Sequence, residues 1–240
     1  ANIGTVRNLS GQGDDTVEGH GEALFYIGPI GITSAMVTMV AITIALVLVS
    51  YFATRHMKVR PRGLQNFMEK CVEMLRNFIG DMLDKKYVNR YLPFLGTLFI
   101  FILISNYSGL LPFAGRLPGL AAPTSVINVT AALAVCTFCV THYSGIKQHG
   151  GKYINHFTKP FLFMFPLLLI DEFIRPLSLT LRLYGNIFGE ETVISNIFNL
   201  VPLGVPIIMQ ALSLLMGFIQ AMVFVLLSSI YINGALGEGH

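Results

Sequence analysis

Long apolar runs alternate with short polar segments along this chain, and the lengths of the runs predict its elements. Residues 33–53 carry no charge, and a helix of that length rises about 30 Å, the thickness of bilayer hydrocarbon. Residues 93–113 are likewise uncharged, and 123–143 contain only His142 near their end. Each run is long enough to span. The segment at about 63–84 reads differently. Phe67, Met68, Cys71, Leu75, Phe78, Ile79 and Met82 recur at three and four, with Glu69, Lys70, Glu73, Arg76 and Asp81 between them. That spacing predicts an amphipathic helix lying on the membrane surface. Two further helices are expected at about 160–200 and 204–235, divided by the turn Pro202-Leu-Gly204-Val-Pro206. Forty residues of helix would be about 60 Å long, twice the hydrocarbon thickness. Such helices must tilt strongly or run partly along the membrane.

The expected fold is therefore an all-α integral membrane protein of about five transmembrane helices and one interfacial helix. Residues 1–30 form a polar, glycine-rich segment before a single membrane domain, 31–240. The first apolar run is too long for the h-region of a signal peptide. Loop charge sets the orientation. Arg55, Lys58, Arg60 and Arg62 follow the first run, and Lys147, Lys152 and Lys159 follow the third, whereas the loop between the second and third holds one arginine, Arg116. The positive-inside rule puts the first two clusters in the cytoplasm, the N-terminus outside and the C-terminus inside.

Composition agrees: 53% of the 240 residues are hydrophobic and 12% charged, and the mean hydropathy is +0.64. A soluble domain carries about twice that charged fraction. The net charge of +3 gives no argument for nucleic acid. Cys71, Cys136 and Cys139 read as small apolar fillers rather than a disulfide framework or metal site. Gly150-Gly-Lys-Tyr153 is not a phosphate-binding loop, so nucleotide chemistry would belong to partners, and neither cofactor nor metal is expected.

Arg182 is the residue that needs explaining. A guanidinium cannot shed its proton, so at membrane depth it needs a carboxylate, water or a second protein. At about 100° per residue, Asp171, Arg175 and Asn186 fall within about 40° of its line and form one polar stripe. Asp171 and Arg175, four apart, suit an ion pair. Arg182 has no acid three or four residues away. Glu190 and Glu191 lie two turns or more further on, and Glu191 points about 180° from it. Its partner is expected from another helix or another chain. On the last helix Gln210, Ser213 and Gln220 are polar on an apolar background, and Gln220 suits orienting a guanidinium without neutralising it. An arginine can also snorkel or pair internally, but two acids, two arginines, Asn186 and Gln220 are more polar groups than anchoring needs. A secondary transporter would also hold ionisable groups at mid-membrane, yet no repeated half with matching broken helices is evident. A purely structural subunit would not need an unpaired arginine.

The run Arg175-Pro-Leu-Ser-Leu-Thr-Leu-Arg182-Leu-Tyr-Gly-Asn186, with Gln220, resembles subunit a of the rotary F-type ATP synthase. Ser105-Asn106-Tyr-Ser-Gly-Leu-Leu-Pro112, Pro123-Thr-Ser-Val-Ile-Asn128-Val-Thr130 and His142-Tyr-Ser-Gly-Ile-Lys147 agree, so the resemblance covers about 20–236. It implies a non-catalytic stator subunit whose two long helices lie tilted against a c-ring. It also implies partnership with peripheral-stalk b subunits and, indirectly, the catalytic ATPase head, in a bacterial plasma membrane. The resemblance makes Arg182 the essential arginine, Asn186 and Gln220 its polar neighbours, and Glu191, with Glu190, the acids of the outer half-channel. Asp171 and Glu172 are the expected acids of the inner half-channel. Some members carry a histidine and an aspartate where this chain has Ser213 and Gly109. Protons are the expected coupling ion, with sodium as the alternative.

Overall fold

The computed structural model describes residues 23–27, 30–55, 63–110, 122–150, 165–200 and 204–237. Among them are six helices, one 3-10 turn and a short hairpin. The hairpin pairs β1 (Ala23–Ile27) antiparallel with β2 (Ile30–Thr33) and leads directly into α1 (Ser34–Thr54). It is a small addition to the helical fold, reaching back into the polar, glycine-rich segment 1–30.

The amphipathic segment forms α2 (Leu64–Gly80). Leu75 and Ile79 are buried, with Leu83 just beyond, while Glu69, Glu73 and Arg76 are exposed, as the spacing predicts. α3 (Lys85–Ser108) starts eight residues before the expected boundary and passes through Pro93. Proline removes one amide donor but need not end a helix, and the Thr97 hydroxyl donates to the Pro93 carbonyl at 2.7 Å. A 3-10 turn (Pro123–Ser125) then precedes α4 (Ile127–His149), so the expected helix from 123 begins four residues later. It also runs past residue 143, carrying Lys147 and His149 into its last turn, where cations favour the helix dipole. α5 (Phe165–Leu200) and α6 (Val205–Gly237) are the two long helices, and the first residues of the expected 160–200 helix lie outside the described ones.

Among the described residues, four helices are long and apolar enough to cross a membrane: α1, α3, α4 and α6 from Ile207. α5 is set apart by its charges, Asp171, Glu172, Arg175, Arg182, Glu190 and Glu191.

The core lies where α3, α4, α5 and α6 meet, with α2 against α3 and α1 at the margin. On α5, Leu179, Leu183 and Ile187 recur every four residues and are buried, while Ile170, Ile174, Leu177 and Leu181 are exposed. On α6, Ala221, Phe224, Val225 and Ile232 are buried, and Ile207, Ile208, Leu212 and Leu215 are exposed. The exposed apolar side chains suit lipid or partner helices. Cys136 and Cys139 also face outward on α4 rather than filling the core.

Hydroxyls inside these helices bond mainly to their own backbones. Thr137, Ser144, Thr180, Ser228 and Ser229 each donate to the carbonyl four residues earlier, which satisfies them where lipid supplies no acceptor. Asn106 instead works between elements. Its amide donates to the Gly217 carbonyl at 3.0 Å and accepts from Thr124 at 2.8 Å, tying α3 to α6 and the 3-10 turn. Tyr107 adds a bond to the Leu214 carbonyl at 3.2 Å. Asn106→Ala would strand two buried partners, at a cost of about 1–3 kcal/mol. A lower thermal unfolding midpoint in detergent is the expected result, and an unchanged midpoint would show that the linkage carries no stability.

Candidate functional site: the polar groups of α5 and α6

α5 and α6 run antiparallel, so a residue late in α5 meets one early in α6. This register builds a ladder of polar pairs. Asn186 donates to the Gln220 side-chain oxygen at 2.9 Å, and one turn further along α5 the Ser213 hydroxyl faces the Glu190 carboxylate. Ser213 and Gln220 are seven residues apart, two turns on one face, and both are buried. Gln220 thus bonds to Asn186, one turn from the arginine on α5.

Glu191 points the other way, as helical arithmetic predicts. Its carboxylate meets the Ser125 hydroxyl of the 3-10 turn and lies against Gly109 at the end of α3. A Cβ at position 109 would fall 2.9 Å from Glu191 Oε1 and 2.8 Å from the Ala122 Cβ. The absence of a side chain at Gly109 is what leaves room for the carboxylate. Ser213 and Gly109, where the resemblance implies a histidine and an aspartate in some members, are therefore the direct neighbours of Glu190 and Glu191.

At the other end of α5, the expected pair forms between Arg175 and Asp171 at 3.4 Å. The closer partner is Glu172, whose Oε2 is 3.2 Å from Arg175. Glu172 also reaches α4, with Oε1 at 3.6 Å from His142 Nε2. Asp171 is largely exposed, while the Glu172 side chain is only 12% exposed. The Arg175 guanidinium stacks over the Tyr231 ring of α6, 5.4 Å from its centre. Pro176 lacks the amide that would serve the Glu172 carbonyl, so the helix is locally open at this point.

Arg182 stands between these two polar ends on an exposed face of α5. Among the described residues no carboxylate lies within 4 Å of it. The four acids of α5, Asp171, Glu172, Glu190 and Glu191, all turn to other partners or away. His142 was legible as the one ionisable group in its apolar run, but its link to Glu172 depends on how α4 packs on α5, which one-helix arithmetic cannot give. The Asn106 and Thr124 bond was hidden for the same reason.

The fold and the site together define a multi-pass helical membrane protein with carboxylates drawn into its interior and an arginine turned outward. The sequence model of the family described as ATP synthase A chain matches residues 35–233. The chain is 44% identical over 220 residues to ATP synthase subunit a of Geotalea uraniireducens, covering 88% of this chain and 93% of that one. It is 45% identical over 203 residues to ATP synthase subunit a 1 of Pelobacter propionicus, covering 83% and 86%. A match in Bradyrhizobium, ATP synthase subunit a 2, is 40% identical over 216 residues, covering 90% and 94%. The chain belongs to the ATP synthase A chain family.

Two substitutions test the geometry of the site. Gly109→Ala must displace either Ala122 or the Glu191 carboxylate, with an expected loss of about 1–3 kcal/mol; a thermal midpoint equal to wild type would mean the cleft yields freely. For the α5–α6 ladder, a double-mutant cycle of Asn186→Ala and Gln220→Ala should give a coupling of about 0.6 kcal/mol, the average for hydrogen bonds inside membrane proteins. Additive losses would show that the bond contributes nothing.

Proposed function

We propose that this chain is the ion-channel stator of a bacterial F-type ATP synthase, set in the plasma membrane with its N-terminus outside and its C-terminus in the cytoplasm. Its partners are the c-ring, the peripheral-stalk b subunits and, through them, the catalytic head. The observation that carries this reading is Arg182. It is a permanent cation on an outward face of a helix whose acids are otherwise engaged, so its counter-charge must come from another chain.

A c-ring supplies that charge. Each ring subunit brings a carboxylate that has to be neutral while it faces lipid, because a bare anion there is strongly disfavoured. Opposite Arg182 the ionised form is stabilised, and the proton departs into one half-channel. The next carboxylate is reloaded from the other. Glu190 and Glu191, with Ser213, Ser125 and Asn186–Gln220 beside them, form the outer path; Glu172 and Asp171 form the inner one. Arg182 also repels a proton moving straight between the paths, since like charges at close range in a low dielectric repel strongly. The membrane potential, about 2.3 kcal/mol per charge per 100 mV, is thereby spent on turning the ring.

Protons are the coupling ion in this reading. The test is ATP-driven acidification of inverted vesicles holding the whole synthase, comparing wild type with Arg182→Ala, with and without added sodium. Arg182→Ala should abolish pumping while the complex stays assembled and hydrolyses ATP. Unchanged pumping would remove Arg182 from the mechanism. Pumping that depends on sodium would replace the proton with sodium while leaving the stator role in place.

A further inference from the structure

The cluster around Glu172 contains more than a surface ion pair. Its two carboxylate oxygens have separate partners, Oε1 toward His142 on α4 and Oε2 toward Arg175 on α5, at 3.6 and 3.2 Å. Arg175 is shared with Asp171 at 3.4 Å and is fixed over Tyr231. The His142 ring is itself held in place, 4.0 Å from the Phe138 ring, which stacks on Phe173 at 6.2 Å. Beside the cluster, a cavity of about 10 Å³ is lined by Thr141, Glu172, Arg175 and Tyr231, about the space of one water molecule. The Thr141 hydroxyl is buried there and has no hydrogen-bond partner among the described residues. A satisfied structural ion pair would not need an idle hydroxyl and a water-sized space beside it.

We infer that His142 is a proton-relay residue at the cytoplasmic end of the inner path, exchanging the transported proton with Glu172. The inference rests on the stator reading above and extends it to a histidine on a different helix. The proton count closes. A proton arriving from the ring neutralises the Glu172 carboxylate; passing to His142 Nε2, it leaves carboxylate beside imidazolium; its loss to water restores carboxylate beside neutral imidazole. Through all three states Arg175 remains a fixed positive charge against Glu172 and Asp171. His142 suits the task because imidazole gains and loses a proton near neutral pH. The side chain is 25% exposed against 12% for Glu172, so it stands nearer to solvent. The charged and titratable groups around it are Glu172, Arg175 and Asp171 from α5 and Tyr231 from α6, while Lys147 of its own helix is held over the Tyr143 ring at 5.6 Å.

The test uses inverted vesicles carrying the whole synthase with His142→Ala, His142→Gln or Arg182→Ala, assembly being checked by membrane-bound ATPase activity. Pumping is followed from about pH 5 to about pH 8, the range over which an imidazole changes charge. His142→Gln keeps the size and hydrogen bonding of the side chain but cannot take up a proton. Both His142 variants should slow pumping by on the order of 10²-fold at neutral pH and lose one ionisation from the pH profile. Added imidazole should restore His142→Ala. If His142→Gln pumps at the wild-type rate with the wild-type profile, the relay is overturned. It is equally overturned if glutamine rescues what free imidazole does not, because His142 then only positions Glu172. Should His142→Ala fail to assemble, the glutamine variant decides the matter alone. Arg182→Ala separates the two levels: if it pumps, the stator reading itself falls, and if it does not while His142→Gln pumps normally, only the relay falls.

Discussion

Lipid answers no polar group, so every charge on a helix in the hydrocarbon must be met by the protein itself or by a neighbour. On α5 this constraint arranges nearly everything else. Arg175 is met twice within one turn, by Asp171 and Glu172. Glu190 is met by Ser213 across the groove to α6, and Glu191 by Ser125 of the 3-10 turn. Once those groups are accounted for, Arg182 stands apart. Its isolation follows from where the acids are: none is three or four residues away, Glu172, Glu190 and Glu191 turn inward while it faces out, and Asp171 is engaged by Arg175.

The same constraint explains why α3 and the 3-10 turn matter to a site on α5. Glu191 can turn into the protein only because Gly109 leaves room, and Gly109 is held in place because Asn106 ties its helix to the Gly217 carbonyl and to Thr124. Gly217 in turn lacks the side chain that would push α6 away: a Cβ there would come within 3.3 Å of the Asn106 Cβ. Small residues allow backbones to approach closely, and polar side chains then bridge them, which is how helices associate when lipid is as apolar as their surfaces.

Much of this was legible along single helices. The Asp171–Arg175 pair, the opposite bearing of Glu191, the amphipathic α2 and the great length of α5 and α6 all follow from 3.6 residues per turn. What could not be read depends on the register between helices. Glu172 looks in sequence like a lesser companion of Asp171, yet it is the more buried acid and the one that reaches His142. Ser213 looks like a departure from a pattern, and only the antiparallel packing of α5 on α6 sets it against Glu190. The apolar runs mark spans rather than helix ends: α3 begins before Pro93 and α4 runs on through Lys147. In each case the helix continued because its remaining backbone bonds and the dipole favoured it.

The spacing along α5 completes the argument for a moving partner. Glu172 lies ten residues before Arg182 and Glu190 eight after it, about 15 Å and about 12 Å along the axis. On the inward side of the helix that interval is filled by Leu179, Leu183 and Ile187, all buried, and Thr180 spends its hydroxyl on the Pro176 carbonyl. These apolar side chains cannot hand a proton from one end to the other. The remaining route is the outward face, and there Arg182 stands in the way with a charge of the same sign. On the reading proposed above, two polar ends separated by an apolar wall on one side and a fixed cation on the other exchange protons through a carrier that arrives neutral, ionises opposite Arg182 and leaves. In the proposed function that carrier is the carboxylate of the ring, and the interruption on α5 is what makes its rotation obligatory.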